Sequence, residues 1–138
     1  MKTTNQISVF LENHPGYLNE IVSVLAKENI DLRALNIAET SDYGLLRLIA
    51  DDPDKAAEVL SSHGFLYTLS PVGVVWVPDK PGGLSAVLSA IAGANIDIEY
   101  MYSCFSKESG KADMIFRVNN LDELDNALQN FQQEDEVK

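Results

Sequence analysis

The chain has a single cysteine, Cys104, so no internal disulfide can form and a reducing compartment suits it best. Basic residues are scarce too. There are 10 Lys and Arg against 21 Asp and Glu, a formal net charge of −11. Nucleic acids and anionic membranes attract a basic footprint, so neither is an expected partner. Long apolar runs are also missing. Stretches such as Val72–Val77 are far too short to cross a bilayer, and Met1–Gln6 leads into a strand-like run without the apolar core of a signal peptide. The expected location is the cytoplasm. Only 5 residues are proline while 46% are hydrophobic, which argues against disorder and for a packed globular protein.

The groups that carry chemistry are thin as well. The only histidines are His14 and His63, and no motif ties either of them to Cys104, so an activated cysteine is not expected. Cys104 reads as a packed strand residue. No Cys/His cluster has metal-ligand spacing, and no glycine-rich phosphate loop of the P-loop or dinucleotide type is present. No catalytic residue, metal ligand or cofactor is therefore expected, and the acidic run Glu134–Glu136 reads as a solvated end.

What the chain does have is an internal repeat. Asn13-His14-Pro15-Gly16-Tyr17-Leu18 recurs as Asp79-Lys80-Pro81-Gly82-Gly83-Leu84, an offset of 66 (81 − 15). At that offset Ser23 meets Ser89, Ala26 meets Ala92, and Asn29-Ile30-Asp31 meets Asn95-Ile96-Asp97. The apolar sets Leu18, Ile21, Val22, Leu25 and Leu84, Val87, Leu88, Ile91 have the spacing of a one-sided helix. Further on the offset becomes 68, where Leu46 and Leu48 meet Met114 and Phe116, and Leu60 meets Leu128.

The first copy reads as strand Ile7–Leu11, helix Pro15 to about Glu28 with Asn29 as its stop, strand Leu32–Glu39, a turn over Ser41–Gly44, and strand Leu45–Ala50. A helix follows, opened by Asp52-Pro53 and running to about Ser62, then strand Phe65–Leu69 after Gly64. The second copy reads as strand Gly73–Val77, helix Pro81–Ala92, strand Ile98–Phe105, a turn around Lys107–Gly110, strand Asp113–Val118 and helix Leu121–Phe131. The polar tail after Phe131 is a poor strand, so the last strand of this copy is expected to be missing or degenerate. Expected boundaries are residues 1–70 and 71–138, and Ser70-Pro71 leaves no flexible linker. The fold class is α+β, each copy having the order βαββαβ, with helices on one face of an antiparallel sheet. Several strands are apolar on both parities, Leu45–Ile49 and Val74–Val77 among them, so the opposite faces should be covered as well. A homodimer is expected.

This unit size and order, with (Asp/Asn)-x-Pro-Gly-x-Leu after the first strand and Asn-Ile-Asp after the first helix, resembles the ACT domain. The resemblance covers nearly the whole chain, from about Ile7 to Phe131, as a tandem pair. It implies a ferredoxin-like fold, regulatory binding of an amino acid or similar small ligand, and pairing of units with ligands at an interface between them. By position, the ligand-binding residues implied are Asn13, His14, Gly16, Tyr17 and Leu18 in the first copy, and Asp79, Lys80, Gly82, Gly83 and Leu84 in the second. The second strand of a paired unit would supply the other wall, near Ala34, Leu35 and Asn36, and near Tyr100, Met101 and Tyr102. Two departures matter: Asn13 stands where aspartate is commoner in the family, and Gly83 stands opposite Tyr17. The two seats should therefore differ.

Each residue also has a plainer reading. Gly16 and Gly82 can serve turn geometry alone. Asn13 and Asp79 can cap the following helix, and Asp79 can at the same time accept a ligand ammonium. His14 can be an exposed turn residue or a hydrogen-bond partner to a ligand carboxylate, and Lys80 can meet the same group as a point charge. Tyr100, Met101 and Tyr102 suit a core or an interface better than a specific aromatic pocket. Two functions stay open: an amino-acid or small-carboxylate sensor acting on a partner enzyme, and a ligand-free interaction or dimerisation module.

Overall fold

A computed structural model describes residues 1–12, 14–39, 43–105 and 109–136. The order is β1 (Lys2–Leu11), α1 (Tyr17–Lys27), β2 (Leu32–Glu39), β3 (Gly44–Ala50), α2 (Pro53–Ser62), β4 (Tyr67–Pro78), α3 (Gly83–Gly93), β5 (Ile98–Ser103), β6 (Lys111–Val118) and α4 (Leu121–Glu136). The chain divides into two compact units: Thr4–Pro71, and Val72–Lys138 together with Met1–Thr3.

In the first unit the strand order is β2-β3-β1-β4. β3 pairs antiparallel with both neighbours, Val9 facing Leu46 and Ile7 facing Leu48 on one side, Leu35 facing Leu48 on the other. The Phe10 N–H donates to the Leu66 carbonyl at 3.1 Å, at the head of β4. Alternation along β1 and β3 sends Ile7, Val9, Leu46 and Leu48 to the helical side. There they pack with Ile21, Leu25, Ala56 and Leu60 in one buried cluster. The other parity is covered too: Gln6, Ser8, Ala34 and Ile49 are buried, and Gln6 Nε2 donates to Ser8 Oγ at 3.2 Å.

The second unit repeats the plan in shortened form, with β4, β6 and β5 side by side. Val75, Val77, Phe116 and Val118 meet Val87, Ile91, Leu124 and Leu128 in a second core. Even the irregularities are duplicated. The pairing slips between Leu32 and Ala34 in one unit and between Ile98 and Tyr100 in the other. The tail after Phe131 continues α4 to Glu136, so no fourth strand follows it among the described residues.

Two sequence expectations are corrected. Ser70-Pro71 does not lie between separate strands; β4 runs unbroken through it, because a proline is admissible wherever a strand position has no N–H to donate. Pro15 and Pro81 lie ahead of their helices rather than in the first turn. The helices start at Tyr17 and Gly83, and Gly16 and Gly82 hold the N-cap positions. The start of the chain adds a feature that its local pattern does not show. Met1–Thr3, the head of the strand that neighbours β4, groups with the second unit, with the Met1 side chain buried and its sulfur close to Gly73.

Helix ends follow one rule. Asn29 and Asn95 have φ of 57° and 58°, in the left-handed region that asparagine tolerates. The Ile30 N–H reaches the Leu25 carbonyl at 3.1 Å and the Asn29 N–H reaches that of Ala26 at 3.0 Å. Ile96 to Ile91 and Asn95 to Ala92 repeat the pattern at 3.3 and 3.0 Å. These are Schellman closures, so the Asn-Ile part of the repeated motif is a helix stop. Gly64, at φ 79°, closes α2 in the same way. Asp52 caps the start of α2, its carboxylate accepting from the Lys55 N–H at 3.1 Å.

Candidate functional site

The two Pro-Gly turns are built alike. In each, proline is followed by a glycine at φ 86°, and an N–H closes back over three residues: Tyr17 to the His14 carbonyl at 3.4 Å, and Gly83 to the Lys80 carbonyl at 3.0 Å. Proline at the second place and a positive-φ glycine at the third make a type II turn. The conformation alone accounts for Gly16 and Gly82, since a β-carbon at either would meet nothing within 4 Å.

The closure also decides which donors remain. The N–H groups of Tyr17 and Gly83 are engaged in the turns. Those of Gly16, Leu18 and Asn19, and of Gly82, Leu84 and Ser85, have no acceptor among the described residues, and neither helix has a side-chain cap. Asp79 therefore does not cap α3. It is exposed, and its own N–H donates to the Gly110 carbonyl at 2.9 Å, tying the turn to the end of the β5–β6 hairpin. Asn13 lies outside the described residues. The result is a pair of uncapped helix starts, each with the positive end of the helix dipole and orphan donors facing outward.

Around that common frame the copies differ. In the first, the His14 ring meets the Tyr17 ring edge-on at 4.9 Å, and Tyr17 meets Phe65 edge-on at 5.7 Å. His14 Nε2 also lies 3.5 Å from the Glu12 carboxylate. Burial, and after it the charges of Glu12 and Glu20, push the Tyr17 phenol above its ordinary value of 10.0. Leu18 is half-buried against the first core. In the second, Lys80 is exposed with no ion pair among the described residues, Leu84 is 38% exposed, and Gly83 is buried against Pro78.

The expected wall residues stand apart from the turn of their own unit. Asn36 is on β2, separated from β1 by β3, and its side-chain oxygen is 3.5 Å from Arg47 Nη1. Ala34, two residues earlier on β2, is buried, while Leu35 is 41% exposed. Tyr100 and Tyr102 stack at 6.4 Å with Tyr102 buried, and Met101 packs on the second core. Sequence reading did not single out the ring of Phe65, whose partner Tyr17 is forty-eight residues away (65 − 17) and invisible to local pattern. Among the described residues no cluster of His, Cys, Asp or Glu could hold a metal ion, and no helix is long and apolar enough to cross a membrane.

A model of the ACT domain pair matches residues 2–135. The chain belongs to the ACT domain pair family. ACT domains are regulatory rather than catalytic modules, and they bind small molecules. Among solved structures, protein BT0572 from Bacteroides thetaiotaomicron is 41% identical, with a TM-score of 0.86 over 94% of this chain and 89% of that one. The ligand-free regulatory subunit of aspartate kinase from Thermus thermophilus is 16% identical, with a TM-score of 0.69 over 96% and 97%. The corresponding subunit from Thermus flavus, also 16% identical, gives 0.65 over 96% and 94%. At that identity these two ACT proteins share the fold alone. A comparison with curated proteins gives no match.

Proposed function

We propose that this ACT pair is a regulatory protein, not an enzyme, that binds an amino acid or a related small carboxylate. One observation carries the reading: both units open a helix with a type II turn that leaves outward N–H donors without a cap. A ligand carboxylate would take the donors of Gly16, Leu18 and Asn19, or of Gly82, Leu84 and Ser85, with the helix dipole assisting. The ammonium would meet Asn13 or Asp79, with His14 or Lys80 beside the carboxylate. Asn36, Tyr100 and Tyr102 would form the facing wall from a paired unit, which is why the reading includes a homodimer. The exposed apolar side chains Leu35 and Ile37 on the edge strand β2 are consistent with pairing. Binding regulates if the ligand favours one pairing over another, and the output then passes to a partner enzyme in the cytoplasm.

A thermal-shift screen of the proteinogenic amino acids tests this. A ligand at a hundred times its dissociation constant stabilises by about 2.7 kcal/mol, a shift of several degrees for a chain of this size. No shift with any of them would remove the amino-acid reading and leave a ligand-free interaction module. A monomer in analytical ultracentrifugation, with and without ligand, would remove the pairing.

A further inference from the structure

The outer side of the first helix pair holds a groove of about 520 Å³, open to solvent. Its walls come from α1 and from the end of α2. These helices run antiparallel: Lys55 Nζ near the start of α2 donates to the Glu28 carbonyl just past the end of α1, and Phe65 beyond α2 meets Tyr17 at the start of α1. Tyr17, Val24 and Phe65 give the groove an apolar floor, and all three are half-buried. Glu20 and Lys27 stand exposed on its rim, and His63 closes one end.

The two rim charges are opposite in sign, and neither has an ion pair among the described residues. Seven residues apart, they lie on one helix face, about 10.5 Å along the axis. They are too far apart to pair readily with each other. His63 is held through Nδ1, 3.0 Å from the Val59 carbonyl.

The duplication supplies a control within the molecule. At the offset of 66, Glu20, Val24 and Lys27 correspond to Ala86, Ala90 and Gly93. The second helix of this kind folds against its own sheet with none of these side chains, so the fold does not require them. Surface charges with no ion pair among the described residues, around an apolar floor, are what a complementary segment would fill.

We propose that this groove is a docking site for an exposed peptide segment of a partner protein, in which a basic and an acidic residue flank an apolar side chain. The apolar side chain lies on Tyr17, Val24 and Phe65, the basic group pairs with Glu20, and the carboxylate pairs with Lys27. A polyproline II-like chain rises about 9.3 Å in three residues and returns side chains three apart to one face, so the two charges of the segment are three residues apart. The groove adjoins the first Pro-Gly turn and shares Tyr17 with it, but its rim charges, Glu20 and Lys27, have no part in the proposed amino-acid seat, so reversing them tests the groove alone.

Backbone NMR of the full chain, titrated with three capped peptides, tests the proposal. The probes carry Lys-Phe-Gly-Glu, Lys-Phe-Gly-Lys or Glu-Phe-Gly-Glu between glycines. The expected result is saturable shift changes at Glu20, Val24, Lys27, His63 and Phe65, with the mixed-charge peptide bound about two- to five-fold tighter than either other. Glu20→Lys moves the preference to the acidic peptide, and Lys27→Glu moves it to the basic one. Both positions are exposed, so the variants keep the fold, and their unperturbed spectra verify that. Shift changes elsewhere, none at the groove up to about 5 mM peptide, or one ranking shared by wild type and both variants would overturn the proposal.

Discussion

Gly83 is packed so closely on Pro78 that a β-carbon on it would overlap the Pro78 carbonyl oxygen and lie 3.0 Å from the carbonyl carbon. The matching residue of the first unit, Tyr17, carries a full side chain, and its turn hydrogen bond is longer, 3.4 Å against 3.0 Å. The second turn closes onto the end of its own strand, while the first leaves room for a side chain.

That relationship predicts an asymmetric outcome. Gly83→Ala forces backbone to move and should cost about 1–3 kcal/mol in urea unfolding. Tyr17→Gly loses ring contacts but meets no clash. A Gly83→Ala protein as stable as wild type would show that the close approach to Pro78 is not maintained in solution.

The helix stops give a second test. Asn29→Gly and Asn95→Gly should be tolerated, since glycine adopts the same positive φ freely. Asn29→Val should cost about 1–2 kcal/mol, because a β-branched side chain resists the left-handed conformation. Equal stability of the glycine and valine variants would count against the observed closure.

Alkaline pH reports on Tyr17. Its phenol is raised above 10.0 by burial first and then by Glu12 and Glu20, so the folded chain holds the proton more tightly than the unfolded one. This contribution to stability is fully present below pH 10 and is lost as pH rises through the raised value. Tyr17→Phe should flatten that part of the stability profile, and ultraviolet titration should show one fewer late-ionising phenol in the variant than in the wild type.

The start of the chain supports the second unit. Removing Met1–Thr3 should destabilise Val72–Lys138, exposing Leu121 and Leu124 beside Gly73, and hydrogen exchange in β4 and α4 should rise. Unchanged exchange there would mean these residues add nothing to that unit.

Much of this was legible in the residues. The repeat, the order of strands and helices, the stop at Asn29 and the cap at Asp52 all rest on local chemistry: apolar periodicity, positive φ and side-chain acceptors within a few positions. The strand edges were harder. β1 begins at Lys2 rather than Ile7, and β4 absorbs Ser70-Pro71, because strand length is set by neighbours that sequence pattern does not reveal. Of the candidate site, the Pro-Gly turns were found, while which N–H groups stay free was not legible, since only the closed turns show that those of Tyr17 and Gly83 are engaged.

By itself, then, the sequence determined a duplicated βαββαβ chain of the ACT kind with two diverged turns, because those features are encoded in spacing and residue type along the chain. The tertiary structure decided what long-range packing alone can decide: that Met1–Thr3 belongs with the second unit, that Phe65 backs Tyr17, and that Glu20 and Lys27 rim a groove. Each of these depends on residues brought together from distant stretches of one unit, where packing and not local preference sets the geometry.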